Sequence, residues 1–242
     1  MGRATRQREA VSAGVRTFLR EPTNVVLLVV LPPLVLFMYD LALGPITEAP
    51  GIEFVPGGAE LGGALFATAF LSGLLGVFQV VGTVDSDRRL VVCGYHSVGV
   101  LLARFLTILL AGGLVAGITF VTFLLRSNIT PERPALAFGV LVSAAVIYGL
   151  LGICLGALVG RELEGSLVLV FLADIDSFGA IGAVPTENDV LEYFPLATPH
   201  DMLDATVYEG TVSGGDAVTV AVYILVLGLF AIGAVLIGGD SI

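Results

Sequence analysis

The chain has 242 residues, of which 56% are hydrophobic and 13% are charged, against about 45–50% and about 25% in an ordinary soluble domain. A water-soluble globule could not bury that much apolar surface, so the composition excludes a soluble domain and indicates that lipid is the solvent. The formal net charge is −10, and all eleven basic residues are arginine, so the chain contains no lysine.

The absence of lysine excludes two kinds of chemistry. The phosphate-binding loop of ATPases needs a lysine beside its glycines, and a retinal or pyridoxal Schiff base needs one as its anchor. The chain is therefore predicted not to hydrolyse ATP by that route. An acidic, lysine-free composition also indicates an extreme halophile, because concentrated salt screens the repulsion among carboxylates.

Six apolar runs are each near or above the roughly 20 residues that a helix needs to cross the hydrocarbon core. They cover residues 24–43, 61–84, 100–125, 135–160, 163–181 and 217–238. The sequence therefore predicts an all-α integral membrane protein, a single domain over residues 1–242 with six transmembrane helices. Pro32 and Pro33 remove two backbone donors and predict a kink near the middle of the first span.

The arginines predict the orientation, because short basic segments stay in the cytoplasm. If the amino terminus is inside, nine arginines fall in inner segments and two in outer loops. The inner nine are Arg3, Arg6, Arg8, Arg16, Arg20, Arg88, Arg89, Arg104 and Arg161, and the outer two are Arg126 and Arg133. We therefore expect a multi-pass protein of the cell membrane with both termini cytoplasmic.

Two segments outside the spans also carry apolar residues. In residues 1–22, Val11, Val15, Phe18 and Leu19 recur at spacings of three and four among arginines, which predicts an interfacial amphipathic helix. The last outer segment, 183–216, mixes acids with apolar residues, so it is not a purely solvated linker. It predicts two short helices, over 187–194 and 200–208, that dip back into the outer leaflet or cap the bundle.

The fourth span carries a row of small residues that lets another helix approach closely. The row consists of Ala145, Gly149, Gly152, Gly156 and Gly160. Its partner is either another span of this chain or a second protomer.

Three aspartates fall within predicted spans, where a charge is costly unless it is paired, neutralised or wetted. Asp174 and Asp176 point about 200° apart on a helix, which favours a short fifth helix that opens at about Asp174. Asp40 should lie at a similar depth, and no histidine or basic partner is expected there. The three either line a polar outer vestibule for a substrate or ion, or reach the outer interface and cap helix ends.

The inner loop after the second span begins with a charge cluster, Asp85, Asp87, Arg88 and Arg89, and continues through apolar and aromatic residues. This pattern suits a short helix against a cytoplasmic partner, or a solvated positive-inside anchor.

The chain resembles the type-2 ABC permease family, whose members pair a six-helix membrane domain with a separate ATPase. The resemblance covers nearly the whole chain and rests on three segments: the basic stretch from Arg16 to Pro22, the charged loop from Asp85 to Arg104, and the stretch Glu192 to Pro199. The chain departs from the family at Arg89 to Val92, where members often carry an acidic Gly-Thr-Leu-Glu-like stretch.

The resemblance implies an export permease without its own cofactor, since ATP and Mg²⁺ would be bound by the partner ATPase. A second permease chain, identical or different, would complete the transporter, with the lipid bilayer around it and no nucleic acid involved. The family's ATPase contacts would fall on Arg16, Arg20, Glu21, Asp85, Asp87, Arg88 and Arg89. Closure of the ATPase pair would move the spans as rigid bodies. No residue indicates the cargo.

The same residues bear on three other functions. An intramembrane protease needs clustered histidine with serine or acid, and His96 and His200 fall on opposite sides of the predicted topology. A secondary transporter or channel-like protein would use acids in broken helices, although the first and last three spans show no similarity. A non-transporting membrane partner also stays open.

Overall fold

The structure is a computed structural model that describes residues 26, 28–47, 57–82, 97–181 and 193–240. Seven α-helices and one π-helical turn cover most of these residues, and no strand occurs among them. The helices are α1 Leu31–Thr47, α2 Gly58–Val81, α3 Ser97–Arg126, α4 Pro134–Val159, α5 Glu162–Ala180, α6 Ala197–Asp204 and α7 Gly214–Asp240. The π-helical turn Ala205–Glu209 continues α6.

Four helical segments are long and apolar enough to cross a membrane, judged by length and composition: Gly58–Val81, Phe105–Arg126, Pro134–Val159 and Gly214–Ala234. A shorter apolar helix covers Leu31–Leu43. The predicted all-helical membrane architecture is confirmed at this level. The leader helix predicted over 1–22 and the inner charge cluster, Asp85, Asp87, Arg88 and Arg89, lie outside the described residues.

The centre of the bundle is the pair α2 and α4, which run in the same direction, since Gly73 lies against Gly152 and Val77 against Gly156. In the most apolar stretch of α2, 67% of the residues are buried, against 11% in α7. α2 also contacts α1, α3 and α5, while α4 also contacts α3, α5 and α7. α2 therefore forms the middle of the bundle, and α7 lies at its edge.

The small residues of the fourth span place the α2 and α4 backbones in direct contact. A Cβ atom on Gly152 would overlap the carbonyl oxygen of Gly73 and lie 2.9 Å from its carbonyl carbon. A Cβ on Gly76 would likewise overlap the carbonyl oxygen of Gly149, and one on Gly156 would lie 3.1 Å from the carbonyl oxygen of Val77. The row therefore faces another helix of the same chain.

Gly160 does not take part in this contact. It follows the last residue of α4, its φ is 68°, and no other group lies within 4 Å of the position of a Cβ. Glycine suits this position because it adopts left-handed φ values without steric cost, and so it ends the helix. Gly160 continues the four-residue spacing of the row in the sequence, but it lies beyond the end of α4 and therefore does not pack against α2.

The periphery of the bundle is apolar. On α7, Leu225, Leu229 and Phe230 are 63%, 63% and 69% exposed, and α5 exposes Phe171 and Leu163. A continuous apolar surface of this kind would be unfavourable in water and is the normal exterior of a protein in lipid.

Pro32 and Pro33 lie in the first turn of α1, which begins at Leu31. Helical residues also precede α1, at 26, 28 and 29, and a turn at residue 30 separates them from it. The helix is therefore interrupted next to the prolines, which agrees with the predicted kink. The first turn of a helix has no intrahelical use for its N–H groups, so the missing donors cost little there.

Candidate functional site

α5 carries two carboxylates with different surroundings. Asp176 is fully buried, whereas Asp174 is partly exposed, and Ile175 between them is 51% exposed. The predicted angular separation explains this difference. The expectation that the helix opens at about Asp174 was wrong, because α5 continues to Ala180. A helix can continue past a residue with a buried carboxylate when hydrogen-bond donors satisfy that carboxylate.

Three contacts satisfy the Asp176 carboxylate. The Tyr148 hydroxyl of α4 donates to its Oδ2 at 2.5 Å. The backbone N–H of Leu196 donates to both oxygens, at 3.1 Å to Oδ1 and 3.0 Å to Oδ2. The side chains of all three residues are fully buried. The carboxylate therefore joins α4, α5 and the segment that leads into α6.

This junction lies deep in the bundle. Tyr148 is 14 residues from Pro134 and 11 from Val159, which is about 21 Å and about 16 Å along a helix. The amide of Leu196 therefore meets Asp176 near the middle of α4. Leu196, Met202, Leu203 and Val207 all belong to the central apolar core, so this segment packs onto the bundle rather than extending from it.

The second predicted outer helix, 200–208, corresponds to α6 and its π-helical turn, which together cover Ala197–Asp204 and Ala205–Glu209. His200 is buried in α6, and burial lowers its pKa, partly offset by the nearby Asp201. Of the first predicted helix, 187–194, only Tyr193 and Phe194 lie in the described part of the chain.

Two further hydrogen bonds surround the junction. Tyr39 of α1 shares one with Ser177 of α5, at 2.8 Å between their hydroxyl oxygens, and Tyr39 also lies within electrostatic range of Asp174. Tyr223 of α7 donates its hydroxyl to the carbonyl oxygen of Tyr193, at 2.7 Å. The surroundings of Asp176 are therefore hydrogen-bonded to α1 through Ser177 and to α7 through Tyr193.

Asp40 has a basic partner, contrary to the sequence-based expectation. Its Oδ2 accepts a hydrogen bond from Arg126 of α3 at 2.8 Å. The Arg126 guanidinium also lies 4.5 Å from the centre of the Phe37 ring. Glu60, in the first turn of α2, interacts electrostatically with both charges. Leu36, Phe123 and Ser127 complete a small crevice around these groups.

Asp40, Asp174 and Asp176 thus have different partners in the structure. Asp40 belongs to an ion pair between α1 and α3, Asp174 lies beside Tyr39, and Asp176 is buried against Tyr148 and Leu196. Tyr148 carried a signal that sequence reasoning missed, because it places a large side chain with a hydroxyl on a helix whose other residues, apart from Ser143 and Cys154, are apolar. The Leu196 amide carried none, because every residue except proline has a backbone N–H.

Across the residues that the structure describes, no group of three or more His, Cys, Asp or Glu side chains could hold a metal ion. The residues assigned to the ATPase contact, Arg16, Arg20, Glu21 and the inner charge cluster, lie outside the described ranges.

These observations define a multi-pass helical membrane protein with a tightly packed core and a polar junction inside the bundle. Residues 61–239 match the model of the ABC-2 family transporter protein. The match covers well over half of the chain, so the protein belongs to the ABC-2 transporter family and is a membrane domain of that transporter type. The resemblance to type-2 ABC permeases is thereby confirmed. No curated protein matches the chain.

Proposed function

We propose that the chain is the membrane-spanning permease subunit of an ABC exporter and that a separate ATPase subunit supplies the energy. The observation that carries this proposal is the family match over residues 61–239, which includes every described helix except α1. The lack of lysine agrees with it, since the chain cannot form a phosphate-binding loop of its own.

The proposed topology has six crossings, formed by α1 to α5 and α7, with both termini in the cytoplasm. α1 and α5 both pack against α2, and α5 has 19 residues, or about 28 Å. The contact of the Leu196 amide with Asp176 near the middle of α4 supports a re-entrant outer hairpin between the fifth and sixth crossings. The arginine distribution supports the orientation.

The proposed transporter contains two permease chains, identical or different, above two ATPase subunits. The exposed apolar faces of α5 and α7 offer surface for lipid or for the second chain. Cargo would leave past a polar outer vestibule, with Asp40 and the partly exposed Asp174 at its wall. Because Asp176 is fully buried, it would lie behind the wall of the vestibule and would not contact cargo.

The proposed ATPase contact consists of Arg16, Arg20 and Glu21 in the leader together with Asp85, Asp87, Arg88 and Arg89. We expect the chain, produced together with the proteins encoded by its neighbouring genes, to retain an ATPase through purification. Reversing both charges at Arg88 and Arg89 to glutamate should reduce retention at least about tenfold, as loss of two interfacial charges would.

Arg133→Glu is the matched control for the charge reversal, because Arg133 lies between α3 and α4 on the predicted outer side. It should leave retention unchanged. Failure of the wild-type chain to retain any ATPase would refute the proposed function. Equal retention in both variants would refute only the contact site.

A secondary transporter is the second candidate, and the buried carboxylate of Asp176 near the middle of α4 favours it. In proteoliposomes without nucleotide, such a protein would move an ion down its gradient. The ABC permease should show no such flux and should stimulate ATP hydrolysis by its partner. A non-transporting membrane partner would show neither activity.

We also propose that the protein works in concentrated salt, on the ground of its −10 charge and its lack of lysine. Thermal unfolding of the purified chain in 3 M KCl should then occur at least about 5 °C higher than in 0.15 M KCl, because screening relieves repulsion among the carboxylates. An equal or lower unfolding temperature in 3 M KCl would refute the halophilic assignment.

A further inference from the structure

The segment that enters α6 is attached to the bundle by two hydrogen bonds on two different helices. The Leu196 amide donates to Asp176 of α5, and the carbonyl of Tyr193 accepts from Tyr223 of α7. These two attachments are not equivalent, because α5 and α7 are held to the core in different ways.

The α5 attachment belongs to a rigid unit. Asp176 is bonded to Tyr148 of α4, and α4 meets α2 through direct backbone contact at Gly152. Leu169 of α5 also packs beside Gly73 of α2. Helices in such close contact move together, since separating them would break many van der Waals contacts at once.

The α7 attachment is weaker. Only 11% of the residues in the most apolar stretch of α7 are buried, and the Tyr223 bond reaches the segment through one exposed hydroxyl. A single exposed hydrogen bond stabilises little. Of the two hydrogen-bonded attachments, the one through α5 is therefore the more firmly held.

We propose that Asp176 is a positioning residue that fixes the entry of the outer segment, at Leu196, to the unit formed by α2, α4 and α5. A movement of this unit would carry α6 with it. The proposal rests on the proposed function, because the movement it transmits is the one driven by the partner ATPase. Asp176 itself contacts no cargo.

Amide hydrogen exchange of the full-length chain in lipid nanodiscs tests the attachment directly, because the Leu196 amide is itself the donor. In Asp176→Leu the Leu196 amide loses its acceptor and should exchange at least about tenfold faster, together with the amides of α6. Asp176→Asn keeps the side-chain volume and one acceptor, so it should give a smaller increase. Unchanged exchange at Leu196 in both variants would overturn the proposal.

Two matched controls separate this role from a general loss of structure. Asp174→Asn changes the neighbouring, partly exposed carboxylate, and Tyr223→Phe removes the bond from α7. Neither should alter Leu196 exchange by more than about twofold. In every variant, unchanged exchange in α2 shows that the bundle is folded. If Asp176→Leu does not fold, the exchange of the Leu196 amide in Asp176→Asn decides whether the attachment exists.

The transmission role is tested in the complex with the ATPase, with and without the non-hydrolysable analogue AMP-PNP and Mg²⁺. Nucleotide should change the exchange of α6 in the wild type, Asp174→Asn and Tyr223→Phe, and the change should be at least about twofold smaller in Asp176→Asn, whose ATPase rate should stay within about twofold. Absence of any nucleotide effect in the wild type would overturn the ATP-driven function and the transmission role with it. A nucleotide effect on α6 that is as large in Asp176→Asn as in the wild type would overturn the positioning role alone.

Discussion

Gly152→Ala is expected to destabilise the protein by about 3 kcal/mol or more, although alanine is ordinarily the better helix former by about 1 kcal/mol. The added methyl group would overlap the carbonyl oxygen of Gly73 and crowd its carbonyl carbon at 2.9 Å. Those atoms are backbone and cannot rotate away. α2 and α4 must therefore separate, which also loosens their neighbours. Unfolding of the purified protein in a titration with sodium dodecyl sulfate measures the effect.

Gly139→Ala provides the matched control on the same helix. No other group lies within 4 Å of the position that its Cβ would take, so the change tests helix propensity alone. Its stability should equal or slightly exceed that of the wild type, by up to about 1 kcal/mol. Similar behaviour of the two variants would show that the α2 and α4 backbones are not in contact.

Tyr148→Phe is expected to cost about 2 kcal/mol of stability, because it removes a donor from a buried carboxylate. The Tyr148 hydroxyl donates to Asp176 at 2.5 Å, and both side chains are fully buried. Water cannot replace the lost donor unless the bundle opens. The same detergent titration measures the change, and the variant should keep the α-helical circular dichroism of the wild type.

Tyr193→Phe is the control for this change, because the Tyr193 side chain is 75% exposed and contributes its backbone carbonyl to the bond with Tyr223. Removing its hydroxyl should alter stability by less than about 0.5 kcal/mol. If Tyr148→Phe is equally mild, the Asp176 carboxylate does not depend on Tyr148, and the junction between α4 and α5 needs another explanation.

Two expectations from sequence failed because they treated each helix alone. Asp174 was expected to end the fifth helix, yet α5 continues to Ala180 because Asp176 finds donors on α4 and at Leu196. Asp40 was expected to lack a basic partner, yet Arg126 reaches it from α3.

The sequence by itself determined the solvent, the helical class and the family type. Apolar runs of membrane length, arginine placement and the absence of lysine are properties of composition and order, and they need no knowledge of which helix lies beside which. The angular separation of Asp174 and Asp176 also followed from helix geometry alone.

Only the tertiary structure decided which groups meet. The glycine row could serve an internal or an external partner, and Gly73 and Gly76 of α2 decide that it is internal. The donors to Asp176 come from a tyrosine 28 residues earlier and a backbone amide 20 residues later. Contacts across such separations depend on how several helices pack at once, and one-dimensional periodicity records only which face of a helix is apolar.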